Sequence, residues 1–461
     1  MPVEALNLDF ILKACAGELA SGSVSQPIAS VCTDSRQAHA RDLFFAIAGD
    51  RFDGHQFLTE ACAKGVAALV VQRRQAPAVN PGCAVIVVDD TRKALGRLAA
   101  QYRKQFDLPI VAIAGSNGKT TTKELIAAVL RQSRPVLWSE ASYNNDIGVP
   151  LTLLRLEKKH RAAVLETGTN HPGELAPLVT MTAPQYGVIT SIAREHLEFF
   201  HDLAGVAQEE GSLGQLLPPD GKLFLDGDSP WASALAQRTR AQIVRVGVGT
   251  ENDWRAHGTR LEKQGSVFRV EGSRREYSGE YRISLLGKHQ VLNALFAIAL
   301  GVELGVSRAE LEQGLAECKP LKMRLQLWEH NGVRILDDAY NANADSMLAA
   351  LETLQALPCK GRRLAVLGDM EELGPDTETA HEEVGRRAAE LGVGQLFAVG
   401  KMASVLARGA RSAGLNRIME FKDVESAAAA VKGFLKTGDL LLLKASRASR
   451  LERISELLKN M

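Results

Sequence analysis

The stretch Val111–Leu125, VAIAGSNGKTTTKEL, decides the fold. It opens inside "IVAIAG", a continuous apolar run of the length expected for a buried strand. It closes inside "TTTKELIAAVL", where Leu125, Ile126, Val129 and Leu130 are spaced along one helical face. Between the two lies GSNGK. Gly115 and Gly118 can take backbone angles closed to other residues and leave room for oxygen atoms to approach. The helix N-terminus then offers unpaired N–H groups and a partial positive charge to an anion. Lys119 adds a full charge, and the Thr120 hydroxyl can coordinate Mg²⁺. The usual nucleotide loop has a Gly six places before its Lys, and here that place is Ile113. The string reads as a shorter phosphate cradle, G-x-x-G-K-T-T, with Ser116, Asn117 and Thr121 as its remaining members, rather than a tight turn with an incidental Lys, because strand, glycines, Lys-Thr and helix occur in the required order.

On both sides of this stretch apolar strands alternate with helices. "AAVLETG", "YGVITSI" and "GKLFLDGD" follow it, and "TRKALGRLAAQYRKQF" precedes it as a helix. Such alternation indicates a parallel sheet covered on both faces. A more polar, strand-like stretch runs from about Trp254 to Leu286, followed by the helix "HQVLNALFAIALGVELG". A first block, to about Val88, carries "DLFFAIAG", "ALVVQ" and "AVIVVDD", with the loop "RRQAPAVNPG" inside it. A last block begins near Lys319–Pro320 and repeats the rhythm with "GVRILDDAY", "RRLAVLGDM", "QLFAVG" and "GDLLLLKAS"; it has no G-x-G-x-x-G after a strand. The expected class is α/β in three domains: a small mixed α/β domain over 1–88, a central P-loop-type parallel-sheet domain over 89–317, and a Rossmann-like α/β domain over 318–461.

The length of 461 residues suits about three domains, and 46% apolar residues can build real cores. With 55 basic against 54 acidic residues, bulk charge gives no reason to expect nucleic acid or a membrane surface as partner. The N-terminal segment has neither the basic nor the apolar region of a signal peptide, and no apolar run is long enough to span a bilayer. The six cysteines (Cys15, Cys32, Cys62, Cys83, Cys318 and Cys359) are scattered without a C-x-x-C pair, which favours buried thiols in a reducing cytoplasm over disulfides or a metal clip.

The short loop resembles that of the Mur ligases, ATP-dependent amide-forming enzymes, and of their folylpolyglutamate synthetase relatives. The resemblance continues in order through "TDSR", "DLFFAIAGDRFDGHQF", "YNNDIGVPLTLL", "LETGTNHPGEL", "ITSIAREHLEFF", "LLGKHQVLNALFAIA", "ILDDAYNANADSM", "LGDMEELG" and "LKASRASRLE", and so covers essentially the whole chain. "DDAYNAN", "LGDMEELG" and the paired "NND" are similar to the branch that joins D-alanyl-D-alanine to UDP-N-acetylmuramoyl-tripeptide. The resemblance implies a cytoplasmic, monomeric ligase of peptidoglycan precursor synthesis, using ATP and Mg²⁺. Its first domain would bind the UDP-sugar, its central domain ATP, and its third domain would close on ATP and take the incoming dipeptide.

Joining a carboxylate to an amine in water is uphill. Phosphorylating the carboxylate creates an acyl phosphate with a good leaving group, and positioned charges supply most of the rate enhancement. Lys119 is the expected phosphate cation. Glu166 closes the strand "AAVLE", where ligands bind in such sheets, and is a hard oxygen donor for Mg²⁺. His196 follows a second strand end, and the resemblance gives it a metal-ligand role. Family members generally carry, before the Gly of "AGVAQEEGSLG", a Lys carbamylated by CO₂ that helps to hold a second Mg²⁺; here Glu210 stands there, a permanent carboxylate expected to substitute for it. The resemblance points to Asn293, Arg324 and Asp338 for nucleotide, with Gln290 replacing the family's Asn. Asn144, Asn145, Tyr340 and Asn341 are expected at the substrate junction. Ala344 stands where the family has Pro. Lys444, Ser446 and Arg447 are candidates for a substrate carboxylate. Ser35, Arg36, Asp53, Gly54 and His55 are candidates for the UDP-sugar.

Other readings compete. A sister ligase adding a diamino acid to the UDP-muramoyl-dipeptide typically shows D-N-P-R in its last domain, and none is present. A folylpolyglutamate synthetase leaves the first domain unexplained. A non-ligating P-loop NTPase predicts hydrolysis without an amino-acid substrate, and a non-catalytic scaffold predicts tolerance of Lys119→Ala.

Overall fold

The computed structural model describes residues 2–23, 28–49, 52–76 and 82–459. Asp50 and Arg51 of the "GDRFDGHQF" string, and 77–81 of the loop "RRQAPAVNPG", lie outside these described residues. The described strands form three sheets of six, nine and six strands.

The first sheet runs, edge to edge, Pro2–Leu6, Ile28–Cys32, Asp42–Phe45, Ala68–Gln72, Ala84–Val88, Glu18–Ser21. Its inner strands pair in parallel and both edge strands antiparallel. Asp42–Phe45 and Ala84–Val88 are buried at every position, which is why they read as unbroken apolar runs. The third sheet runs Gln326–His330, Val333–Asp337, Leu440–Lys444, Arg363–Leu367, Gln395–Val399, Ile418–Phe421, parallel except for its first pair.

The central sheet positions the site. Its order is Gly279–Ile283, Gly265–Gly272, Trp254–Glu262, Gln242–Gly247, Lys222–Asp226, Tyr186–Ile189, Ile110–Ala114, Ala162–Glu166, Val136–Trp138. The polar stretch foreseen from Trp254 is the antiparallel extension of an otherwise parallel sheet. Ile110–Ala114 lies between Ala162–Glu166 and Tyr186–Ile189. The chain leaves it first to one side and then to the other. Connections after these strands therefore diverge and leave a crevice beyond their carboxyl ends, the place where such sheets bind ligands. The helix Lys119–Leu130 follows the first of these strands and packs against Lys288–Glu303 through Leu125, Val129, Leu295 and Ile298 in one cluster.

The helix Thr91–Arg103 joins the first two sheets. Leu95, Leu98 and Tyr102 share one core with Ile11 and Ala14 on one side and Leu153 and Leu156 on the other. Tyr102 donates its hydroxyl to Leu156 O at 2.7 Å. The buried Arg103 guanidinium donates to Thr182 O (2.9 Å) and Ala183 O (3.1 Å), the carbonyl end of the helix Leu175–Thr182, where a cation is favoured.

One expectation fails here. Cys62 and Cys83 form a disulfide, leaving Cys15, Cys32, Cys318 and Cys359 as free thiols. Cys62 lies in the helix Leu58–Ala63 and Cys83 immediately before the strand Ala84–Val88; packing of that helix on the sheet brings their Cα atoms to 6.2 Å, within bridging range. Nothing local in the sequence signals such an approach.

Candidate active site

The loop Gly115–Lys119 stands at the crevice. Gly115 and Gly118 have φ of 110° and 89°. A Cβ on Gly115 would sit 2.5 Å from Thr190 Oγ1, and one on Gly118 2.5 Å from Asn293 Oδ1. Both conformation and space thus demand glycine. The loop is held from behind: Gly115 N–H donates to Glu210 Oε2 (2.6 Å), Ser116 N–H to Ser191 O (2.9 Å) and Asn117 N–H to Ser191 Oγ (2.9 Å). Gly118 caps the helix without a side-chain acceptor, so the first N–H groups of Lys119–Leu130, those of Thr120 and Thr121 among them, face the cleft. This is an anion site made by backbone and helix dipole.

A cleft of about 590 Å³ opens over the loop, walled by the central and third sheets. Lys119 Nζ donates to Gly115 O and to Ser116 O (3.2 Å) and lies 3.8 Å from Glu195 Oε1. Burial alone would lower the lysine pKa, but Glu195, Glu210 and Glu166 hold it above its ordinary value, so the ammonium stays charged. Glu166 is 1% exposed. Its Oε1 accepts from Asn144 Nδ2 at 2.9 Å, whereas its Oε2 is buried with no hydrogen-bond partner. A buried carboxylate oxygen left open is costly unless a ligand takes it. A hard anionic oxygen beside a phosphate cradle fits a divalent cation such as Mg²⁺. His196, with φ of 51°, turns its Nδ1 to Glu372 of the third sheet's domain and its Nε2 into the cleft. Burial opposes the imidazolium, but the Glu372 hydrogen bond and the Glu195 and Glu372 charges raise its pKa.

Nucleotide candidates gather around this centre. Asn293 Nδ2 donates to Gln290 Oε1 at 2.9 Å, and both line the cleft beside Gly118. Arg324 donates from Nη2 to Thr120 Oγ1 at 3.1 Å and lies 4.2 Å over the Tyr340 ring. Tyr340 donates its hydroxyl to Ser142 Oγ at 3.1 Å. Asn145 accepts from Gly148 N–H (2.9 Å) at the start of the helix Gly148–Leu153, and Asn341 lines the cleft. Asp338 is engaged twice, by Leu325 N–H (3.0 Å) and by Lys444 Nζ (2.6 Å).

Several candidates are placed differently from expectation. Glu210, 1% exposed, lies behind the loop rather than along the cleft, and burial pushes its carboxyl pKa up to about 7 against the pull of Lys119. Lys444 lines the cleft but is only 2% exposed and paired with Asp338. Ser446 donates to Ala342 O (3.1 Å) and accepts from Glu371 N–H (2.9 Å), and Arg447 pairs with Glu452 away from the cleft. Ala344 is the first helical residue of Ala344–Ala356, where Pro is favoured; Asn343 and Ser346 complete a capping box that holds the turn without it.

The first-domain set also lies apart from the cleft. His55 is a brace: its Nδ1 meets Asp53 Oδ1 at 2.6 Å and its Nε2 accepts from Gln72 N–H at 3.0 Å, so both ring nitrogens are taken. Asp53 further accepts from Gln75 Nε2 (2.8 Å), Ser35 donates to Glu60 (3.1 Å), and Gly54 N–H donates to Ile47 O (2.9 Å). Arg36 is exposed and forks onto Asp34.

Sequence reading missed Glu195, Ser142, Asn343 and Glu372. Glu195 had one available signal, its place beside His196 in the connection after a strand at the crevice.

The comparisons agree along the whole chain. The Mur ligase family, catalytic domain, matches residues 27–103; the Mur ligase middle domain matches 113–301; and the Mur ligase, glutamate ligase domain, matches 323–447. The UDP-N-acetylmuramoyl-tripeptide–D-alanyl-D-alanine ligase of Bacillus subtilis is 36% identical over 95% of this chain and 96% of its own, and that of Escherichia coli 37% identical over 85% of each. A crystal structure of MurF from Acinetobacter baumannii superposes with a TM-score of 0.92 over the whole of both chains at 30% identity. MurF of Thermotoga maritima in complex with ADP superposes with a TM-score of 0.81 at 26% identity, over 94% of this chain and 97% of that one. With its fold, its phosphate loop and its sequence all matched end to end, the chain belongs to the Mur ligase family.

Proposed function

We infer that the chain is an ATP-dependent, ADP-forming ligase that joins D-alanyl-D-alanine to UDP-N-acetylmuramoyl-tripeptide in peptidoglycan precursor synthesis. One observation carries the reading: the glycine loop, Lys119, the open oxygen of Glu166 and the inward Nε2 of His196 meet in one cleft. Relatives bearing that activity in their names match nearly the full chain, which selects this ligase over a sister enzyme or a simple NTPase.

In the first step a carboxylate oxygen of the tripeptide attacks the γ-phosphorus of ATP, the bond to the bridging oxygen breaks, and ADP leaves. In the second, the dipeptide amine attacks the acyl carbon, the bond to phosphate breaks, and the nitrogen loses a proton. The loop N–H groups and Lys119 take the phosphate charge in place before reaction, and Arg324 reaches the same point from the third domain. Glu166 and His196 would hold Mg²⁺, which would supply neutralisation of phosphoryl charge in the transfer. Asn293 and Gln290 receive the nucleoside side. Tyr340, Asn341, Asn144 and Asn145 line the meeting point of the two substrates. Lys444 can take a substrate carboxylate only when its pair with Asp338 parts. Arg36, with the turn around Asp53 and Gly54, receives the UDP-sugar on the first domain, and Ser35 and His55 shape that surface from behind.

In this reading the enzyme works as a monomer. No helix among the described residues is long and apolar enough to cross a membrane. A nucleotide-sugar substrate and ATP support a cytoplasmic location. The test is the purified protein with ATP, Mg²⁺, D-alanyl-D-alanine and UDP-N-acetylmuramoyl-tripeptide, read by product mass. A pentapeptide product with one ADP per bond is expected; ATP hydrolysis without ligated product overturns the reading.

A further inference from the structure

Glu195 has no part in the reading so far, yet it occupies the centre of the cleft. Its Oε1 lies 3.8 Å from Lys119 Nζ and its Oε2 4.0 Å from His196 Nε2. Its side chain is 12% exposed, and no hydrogen-bond donor among the described residues reaches either oxygen. In the same cleft the buried Oε2 of Glu166 is also without a partner. Glu210, by contrast, spends an oxygen on Gly115 N–H and stands behind the loop. On the cleft side the Lys119 ammonium therefore faces two carboxylates with oxygens free of hydrogen bonds, while the nearby Arg324 guanidinium is engaged with Thr120 Oγ1.

We propose that Glu195 joins Glu166 and His196 in receiving the divalent cation that accompanies the nucleotide, and that Glu210 braces the loop instead of binding metal. Mg²⁺ sites beside transferable phosphates commonly use one or two protein carboxylates and fill their remaining positions with phosphate oxygens and water. A closed cage of three protein ligands is thus not required, and none is present among the described residues. The assignment also gives Lys119 a role: its ammonium lies 3.8 Å from Glu195 Oε1, and would be freed toward the phosphates if Glu195 took a cation. Glu210 commits Oε2 to Gly115 N–H and does not line the cleft, so its carboxylate stands on the far side of the loop from the phosphates.

The assignment rests on nucleotide binding at the loop, so that binding is measured in parallel with a fluorescent ATP analogue. The full chain, saturated with a non-hydrolysable ATP analogue, is titrated with Mn²⁺ and free Mn²⁺ is read by electron paramagnetic resonance. Glu195→Gln is expected to weaken Mn²⁺ binding tenfold or more. Glu195→Asp, which keeps the charge but shortens its reach, should weaken it at least threefold. Glu210→Gln, whose amide oxygen can still accept from Gly115 N–H, should stay within threefold of wild type. Mn²⁺ affinity within twofold of wild type in both Glu195 variants overturns the proposal, as does a loss in Glu210→Gln equal to that in Glu195→Gln. If Glu195→Gln does not fold, the Asp variant decides by the same limits. Failure of the wild type to bind the nucleotide analogue would sink the reading of the loop itself, a result separable from both.

Discussion

Asn117 and Asn343, 226 positions apart, exchange two amide hydrogen bonds of 3.3 and 3.0 Å, one in each direction. The first belongs to the phosphate loop and the second caps the opening helix of the third domain. Around them, Arg194 donates to Asp345 (2.8 Å) and Glu383 (2.6 Å), Arg324 reaches Thr120, and His196 meets Glu372. The contact of central and third domains is thus built largely from polar pairs. Polar interfaces within a chain are the ones that separate, and closure on ligands is the motion that a site divided between domains requires.

Asn343→Asp tests that contact while preserving the helix cap, since Asp caps as well as Asn. It removes the amide that donates to Asn117 and sets a carboxylate beside the phosphate cradle. Affinity for ATP should fall about tenfold, the effect of roughly 1.4 kcal/mol of charge repulsion, while thermal stability changes little. A fluorescent-nucleotide titration beside a thermal melt reads both. Unchanged affinity would mean that the pair is incidental to the nucleotide site.

Lys119→Ala should cost about 10²–10³-fold in turnover or more, on the scale of removing one key electrostatic group from a reacting centre. Lys119→Arg should restore little, because a planar fork cannot replace a compact ammonium inside a glycine turn. Single-turnover formation of ADP separates this loss from weaker binding. Wild-type turnover by the Ala variant would remove the loop from catalysis.

How far the sequence exposed this site depended on where each residue lies. Lys119, Glu166 and His196 were legible because each lies at or beyond the carboxyl end of an apolar strand, and such ends converge in parallel sheets. Glu195 was not. Its side-chain direction depends on how the connection from Ser191 turns, including the left-handed backbone of His196, which no local pattern encodes. His55 reads as a polar loop residue, yet tertiary packing buries it between Asp53 and Gln72. The inner strands were legible as apolar runs. The edge strands Glu18–Ser21 and Ile418–Phe421 were not, since they are largely exposed and short, and Val136–Trp138 has only three residues.

Activity should not depend on bicarbonate. Position 210 holds a carboxylate, so no lysine there awaits carbamylation, and Glu195 supplies the cleft with a second fixed anion. Rates in buffer stripped of CO₂ should stay within twofold of those with added bicarbonate. A steep dependence would show that some other lysine is modified and that these carboxylates do not suffice.

Asp226 gives a pH signature remote from the chemistry. Burial and, less strongly, the neighbouring Asp228 push its carboxyl pKa up to about 6 from 3.8, although Asp228 N–H donates to it at 3.0 Å. A raised acid favours its neutral form in the folded state. The ionised carboxylate therefore destabilises the protein above about pH 6, and that cost vanishes as pH falls toward 3.8. Asp226→Asn keeps the acceptor for Asp228 N–H and should stabilise at pH 8 by about 1–2 kcal/mol, less than the full shift implies because the group is partly exposed. The gain should shrink through pH 6 and disappear near pH 4. Denaturant melts of both proteins across that range measure it, and a gain independent of pH would assign it to packing.

The helix Thr91–Arg103 predicts how the molecule unfolds. Through Leu95, Leu98 and Tyr102 it welds the first sheet to the central one in a single apolar core, whereas the third domain meets the central one mainly through polar pairs. A shared core transmits disruption across its whole extent; a polar contact does not. Calorimetry should therefore resolve two transitions, one for the first and central sheets together and one for the third domain. Leu98→Ala, at a position with no exposure, should destabilise the joint unit by about 2–5 kcal/mol through the cavity it leaves, and should leave the third-domain transition in place. If only the first sheet melted early in this variant, the two sheets would be independent and the helix a mere tether. If all three sheets moved together, the polar contacts around Asn117 and Asn343 would be stronger than their chemistry implies.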